Sequence, residues 1–188
     1  MTGLTLDQRL FLAVNQGWSR PLLDPLMLMI TQWTDYFLPL ALLLFFRARA
    51  REQGRPEALL VISSILCAVA VAFALKALFD TPRPLKALAE LAQAGKIELR
   101  VLGKPLYERG LPSSHTLRMF SLSAAFWPVH RSISLLLLVP ACLVGLSRIY
   151  VGAHFPSDVA AGAFFGAITG LLVCAAVTRW AARRRPRP

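Results

Sequence analysis

The chain has 188 residues and a formal charge of +11, from 21 Lys and Arg against 10 Asp and Glu, with 56% of its residues hydrophobic and 16% charged. The length is that of one domain, 1–188, and apolar residues gathered in long runs between short basic stretches exclude a soluble core and specify an all-α integral membrane chain. The excess positive charge lies at run ends and in loops, with no zinc-ligand spacing and no basic–aromatic interleaving, so it excludes nucleic acid and suits lipid headgroups, topology signals and an anionic substrate.

Residues 4–17 form a moderate helical segment, with Asp7 and Arg9 among Leu and Phe, that fits either an interfacial helix or a sixth, poorly formed span. Pro25–Phe46 is the first candidate span, interrupted by Asp35, and Arg47, Arg49, Arg51 and Arg55 fill the gap behind it. Residues 59–79 are the cleanest span and carry only Lys76, near one end. Pro82 and Pro84 stop that helix. Residues 85–95 then read as a short amphipathic helix on the membrane surface, a lid over the outer end or a plain connector. Residues 112–129 are a shorter and more polar span, with His115 and Arg118 near its start. Residues 132–147 are short, and Pro140 is expected to kink them. Residues 157–178 are rich in Ala and Gly, which permit close helix contact within one chain or between two. Cys67, Cys142 and Cys174 sit singly in apolar runs and read as small buried hydrophobes.

Five alternating spans put the short basic loops, Arg131 and the arginines from Arg179 to Arg187 on one side, which the positive-inside rule marks as cytoplasmic. Lys and Arg are as numerous on the other side, but several of them lie in the long loop 80–111, where the rule weakens. The same alternation brings Lys76, Arg83, Ser113, Ser114, His115, Arg148, His154 and Asp158 to one depth at the outer end. Charges at membrane depth are costly and are usually functional.

Lys76, Arg83 and Arg148 supply three cations without three matching carboxylates, and an anion with several oxygens resolves their mutual repulsion. The segment PSSH, residues 112–115, reads as a helix start with Ser113 as cap, and its free backbone N–H groups suit phosphate oxygens. His115 and His154 can attack phosphorus or pass a proton. Asp158, four residues after His154 and in the first turn behind Pro156, can hold one imidazole nitrogen and leave the other free. A His–Asp pair also serves as a metal ligand or a buried structural pair. The three cations and the scarcity of carboxylates at this end argue against a metal cluster.

At these residues the chain resembles the type 2 phosphatidic acid phosphatase family, whose fold is shared with vanadium haloperoxidases. The resemblance rests on KALFDTPRP from Lys76 to Pro84, PSSH from Pro112 to His115, and SRIYVGAHFPSD from Ser147 to Asp158, in that order. It implies a helical bundle of five or six transmembrane helices. It also implies phosphate binding by Lys76, Arg83, Arg148 and Ser113, with Ser114 beside them where the family usually has Gly. His115 is then the proton donor to the leaving group, His154 the nucleophile that becomes phosphorylated, and Asp158 its partner. No cofactor and no metal are implied. The small size and externally facing site are similar to bacterial inner-membrane enzymes that convert undecaprenyl diphosphate to undecaprenyl phosphate. Phosphatidylglycerophosphate, phosphatidic acid and lipid A 1-phosphate are alternative substrates. A transporter, or a non-catalytic lipid-binding protein, is the alternative of a different class. The sequence carries no sign of oligomeric state.

Overall fold

The computed structural model describes residues 3–49 and 56–183, without the side chains of residues 33–35, 48 and 49. Asp35 as an interruption, and Arg49, Arg51, Arg55, Arg184, Arg185 and Arg187 as topology markers, lie outside what is described. Eight helices follow in order among the described residues: α1 Leu6–Asn15, α2 Leu23–Arg49, α3 Glu57–Phe79, α4 Pro84–Ala87, α5 Ala89–Gln93, α6 Ser114–Phe126, α7 Arg131–Tyr150 and α8 Pro156–Arg183.

Three of these helices, the ones containing residues 57–79, 131–150 and 156–183, are long and apolar enough to cross a membrane. A fourth is added if the two arms of α2, Leu23–Gln32 and Tyr36–Arg47, which meet at 52°, count as one span. The expected five or six is therefore corrected to three, or four. Two helices account for the difference. With 10 residues, α1 rises about 15 Å, half of a ~30 Å hydrocarbon core. It is fixed at its start by a reciprocal capping box between Thr5 and Gln8, and it buries Phe11, Leu12 and Asn15 against its neighbours. The 13 residues of α6 rise about 20 Å, too few to cross lipid unaided.

Yet α6 is the element around which the bundle is arranged, in contact with α3, α7 and α8. Its first residue lies at the end that holds the polar motifs, where the Ser113 N–H donates to the Asp158 carbonyl at 3.0 Å. Its last residue, Phe126, stacks on Phe46 at the opposite end, where His130 also meets Glu57 at 3.0 Å. The polar character that makes this segment a poor bare span is absorbed by its neighbours. Ser121 Oγ donates to the Ser64 carbonyl and Ser123 Oγ to the Ser134 carbonyl, so few polar groups of the buried helix stay unsatisfied.

Close approach of α8 to α6 is made by glycine. A Cβ at Gly162, Gly166 or Gly170 would stand 2.7, 2.4 or 2.2 Å from the carbonyl oxygens of Ser113, Leu117 and Ser121 respectively. The small residues of the segment 157–178 therefore pack within the chain, one backbone directly on another. Leu122 and Phe126 of α6 join Phe46, Leu60, Val61, Leu137, Val173, Cys174 and Val177 in the largest apolar cluster.

Three smaller differences have plain causes. Only Cys174 of the three cysteines is buried; Cys67 and Cys142 are exposed on α3 and α7, among outward apolar residues such as Leu66 and Val139 that suit lipid. Helix α7 continues through Pro140 and reaches Tyr150, beyond the expected end at 147. Residues 85–95 form two short helices instead of one, because Leu88 between them turns fully inward against Phe11, Ile149 and Phe155.

Replacing Gly170 by Val is expected to destabilise the protein by about 1–3 kcal/mol through overpacking against α6. Thermal melting in detergent would show this as a fall of several degrees, and an unchanged melting temperature would contradict the direct backbone contact.

Candidate active site

The site is assembled from four separate pieces of chain that meet at one end of α6. The first is the turn after α3. Lys76, in the last turn of that helix, donates to the carbonyls of Arg109 and, at 3.3 Å, Gly110. Arg83 follows where prolines 82 and 84 have ended the helix, and its own N–H donates to the Tyr107 carbonyl at 2.8 Å. Its guanidinium is held on several sides: Nε to the Glu108 carbonyl at 2.7 Å, Nη1 to the Ala153 carbonyl at 3.0 Å and Nη2 to the Arg109 carbonyl at 3.3 Å. Arg109 adopts φ +56, a left-handed conformation uncommon for a residue with a Cβ, and its carbonyl is shared by both cations.

The second piece is the start of α6. Ser113 occupies the N-cap position but makes no side-chain capping bond. Its hydroxyl, fully buried, accepts from Thr116 Oγ1 at 3.0 Å instead. The expected cap is thus correct in place and wrong in bonding, and the first-turn N–H groups are left to other acceptors. Ser114 is the first helical residue and is half-buried. His115 follows it and faces a cavity of about 420 Å³.

The third piece runs from the end of α7 into α8. The chain reverses through Gly152, at φ +81, where a Cβ would stand 2.3 Å from the Arg100 carbonyl oxygen, so the turn requires glycine. This delivers His154 to a position only 1% exposed. Pro156 opens α8, and Asp158 in its first turn reaches back to accept from the Phe155 N–H at 3.0 Å, as an acid at that helix position does. The same carboxylate oxygen lies 3.2 Å from His154 Nδ1. On the other side of the ring, His154 Nε2 lies 3.0 Å from Arg83 Nη1. Arg83 has only N–H groups to give, so Nε2 is the acceptor and Nδ1 carries the proton it donates to Asp158. That tautomer is fixed by the two partners.

The fourth piece is α2, which sequence reasoning assigned only to a span. Thr31 Oγ1 accepts from Arg148 Nη1 at 2.6 Å. Thr31, Gln32, Tyr36, Lys104, His115, Arg148 and Ala153 are among the residues that line the cavity. No pattern in the sequence marked Thr31 as a partner of Arg148, since the two are 117 positions apart. The carbonyls of residues 108, 109 and 153 were equally invisible, because backbone acceptors leave no residue-type signal.

Burial and the charges of Arg83, Arg148 and Lys76, with His115 beyond them, push the His154 pKa well below its ordinary value. The ring is therefore neutral at physiological pH, with a lone pair at Nε2, which is the form needed for attack on phosphorus. The arrangement can bind a multi-oxygen anion with cations and helix-start N–H groups, attack it with one imidazole and exchange protons through a second. Among the described residues no group of three or more His, Cys, Asp or Glu is placed to hold a metal.

Around the site, structural bonds hold the loops. Asn15 of α1 donates to the Arg100 and Tyr150 carbonyls at 2.8 and 2.9 Å. Asp7 accepts from the Ser157 N–H and hydroxyl, and Phe11 packs edge-on against Phe155.

Comparison with known proteins gives four findings. Residues 57–183 match the model of the PAP2 superfamily. Over 157 residues the chain is 29% identical to the bacitracin transport permease protein BcrC of Bacillus licheniformis, covering 84% of this chain and 73% of that protein. It is 28% identical over 178 residues to the lipid A 4'-phosphatase of Porphyromonas gingivalis, covering 90% and 72%. Its fold is similar to the crystal structure of Aquifex aeolicus LpxE, with a TM-score of 0.72, 30% identity and coverage of 92% and 97%.

A lowered pKa means that protonation of His154 requires a pH below its ordinary ~6.5. The imidazole nitrogen shifts of His154 in the ligand-free protein are therefore expected to stay those of a neutral ring from pH 7.5 down to 5.5. A midpoint at or above 6.5 would contradict the burial and charge described.

Proposed function

We propose that this chain, which belongs to the PAP2 superfamily and is a membrane lipid phosphatase of that class, removes the phosphate of a lipid headgroup through a phosphohistidine formed on His154. The observation that carries this reading is the ring of His154 itself. Asp158 holds it at Nδ1, Arg83 meets it at Nε2, and its chain neighbour Ala153 lines a cavity together with His115 and Arg148.

In the resting site the Arg83 N–H covers the Nε2 lone pair. An arriving phosphate exchanges that bond for its own oxygens, which Arg83, Lys76, Arg148, Ser113 and the first N–H groups of α6, including that of Ser114, then hold. The Nε2–phosphorus bond forms as the bond from phosphorus to the lipid oxygen breaks, and His115, protonated once the anionic substrate offsets the surrounding cations, gives that oxygen its proton. Water then attacks the phosphohistidine with His115 taking its proton, which frees inorganic phosphate and restores both imidazoles. The three cations supply the charge stabilisation that a metal would otherwise give, so turnover is independent of divalent ions.

The substrate class favoured is a lipid phosphomonoester of the lipid A or phosphatidylglycerophosphate type. The lipid A 4'-phosphatase similar over 90% of this chain supports it ahead of the undecaprenyl diphosphate suggested by size and site placement. Lys104 on the cavity wall is a cation additional to the three motif residues. It favours a headgroup with a second anionic group, and this observation keeps undecaprenyl diphosphate as the second reading. The headgroup is approached from the outer side of the bacterial cytoplasmic membrane, with the lipid tail between helices.

Purified protein assayed for phosphate release on lipid A, phosphatidylglycerophosphate, phosphatidic acid and undecaprenyl diphosphate is expected to prefer one of the first two. Preference for the diphosphate selects the second reading, and release from none of them overturns the proposal. His154→Ala is expected to lose activity by on the order of a thousand-fold or more. Wild-type activity is expected to survive EDTA, and loss restored by added metal would contradict the cation-only chemistry.

A further inference from the structure

Arg148 reaches the cavity from the last turn of α7, and its long side chain has many rotamers to lose before it can hold an anion in one geometry. In this structure one N–H of its guanidinium is already committed. Nη1 donates to Thr31 Oγ1 at 2.6 Å, a charge-assisted hydrogen bond. The bond joins two residues that are 4% and 7% exposed. Thr31 lies on α2, outside the residues 57–183 that match the family model. It is the penultimate residue of that helix's first arm, before the arms meet at 52°. Both partners line the same cavity as His115.

We propose that Thr31 is a positioning residue for the phosphate-binding arginine. Its hydroxyl oxygen pins one edge of the Arg148 guanidinium to the α2 wall, which fixes the orientation in which the group meets the anion. A hydroxyl oxygen can accept from the guanidinium while its own proton stays available, so the bond does not use up the polar capacity of the wall. A valine of the same shape keeps the packing and removes the acceptor, whereas a serine keeps the acceptor and removes a methyl group. The inference rests on the phosphatase reading of the site, since it assigns Thr31 a role through the phosphate ligand Arg148.

The test compares wild type with Thr31→Val, Thr31→Ser, Arg148→Ala and the double variant Thr31→Val with Arg148→Ala. It uses lipid phosphate release, inorganic phosphate binding by calorimetry, and thermal melting in detergent. Thr31→Val is expected to weaken inorganic phosphate binding by about three- to ten-fold when Arg148 is present, and to lower kcat/KM by about ten- to hundred-fold, the larger loss in kcat because Arg148 is called on most as charge builds in the transition state. Thr31→Ser is expected to stay within about three-fold of wild type. In the Arg148→Ala background, Thr31→Val is expected to change phosphate affinity no further, because residues acting through one bond are non-additive.

Thr31→Val with kcat/KM within about three-fold of wild type would overturn the proposal. So would equal losses of phosphate affinity with and without Arg148, the pattern of a general packing role, and that comparison decides even if the valine lowers the melting temperature. Failure of the underlying reading has a different signature, which is no phosphate release by wild type from any of the lipids.

Discussion

The contact on which everything else depends is the near-bare approach of two helix backbones. Gly162, Gly166 and Gly170 let α8 lie against carbonyls of α6, and that contact sets the relative height of the two helix starts. Because of it, the Ser113 N–H reaches the Asp158 carbonyl, and the PSSH segment stands beside the loop carrying His154. Side chains larger than hydrogen along this seam would push α8 outward and part the two motifs. The short length of α6 belongs to the same design. A helix too brief to face lipid unaided can be buried among three longer ones, and there its serines find neighbouring carbonyls.

The assembled pocket concentrates positive charge around a neutral imidazole with a single carboxylate, Asp158, bonded to it. In a partly buried site such a set is held apart by repulsion unless its hydrogen bonds are satisfied. In the free protein, loop carbonyls do this for Lys76 and Arg83. Those carbonyls are neutral, and a phosphate offers the same guanidinium and ammonium groups a full negative charge in place of a dipole. The resting contacts therefore hold the cations in place through neutral dipoles alone. Elements outside the family motifs brace this arrangement: α1 through Asp7, Phe11 and Asn15, and Leu88 in the connector after α3, all packing on or near the loop that carries His154.

The gathering of the candidate site residues at one end was more legible in the sequence than the bundle was. Lys76, Arg83, His115, Arg148, His154 and Asp158 bear chemistry that stands out in an apolar chain, and helix alternation alone gathers them at one end. Span counting was less successful, because hydropathy reports what lipid tolerates and α6 is shielded from lipid by protein. Residues 4–17 fitted both an interfacial helix and a weak span for a related reason: a helix with one apolar face resembles a weak span until its length is set by a cap at Thr5 and an end at Asn15. Ser113 marked the helix start correctly, yet its hydroxyl went to Thr116, a choice between two local partners that residue type does not decide. Thr31 and the carbonyls of residues 108, 109 and 153 were beyond reach, since their roles arise only from long-range folding.

The proposed reaction turns on a covalent phosphoryl group carried by one particular imidazole. Rapid acid-free quenching of the enzyme with a radiolabelled lipid phosphate, followed by peptide mapping, tests it most directly. An acid-labile, base-stable label is expected on the peptide containing His154, absent in His154→Gln. A label that persists in the glutamine variant, or that maps to another residue, would contradict it.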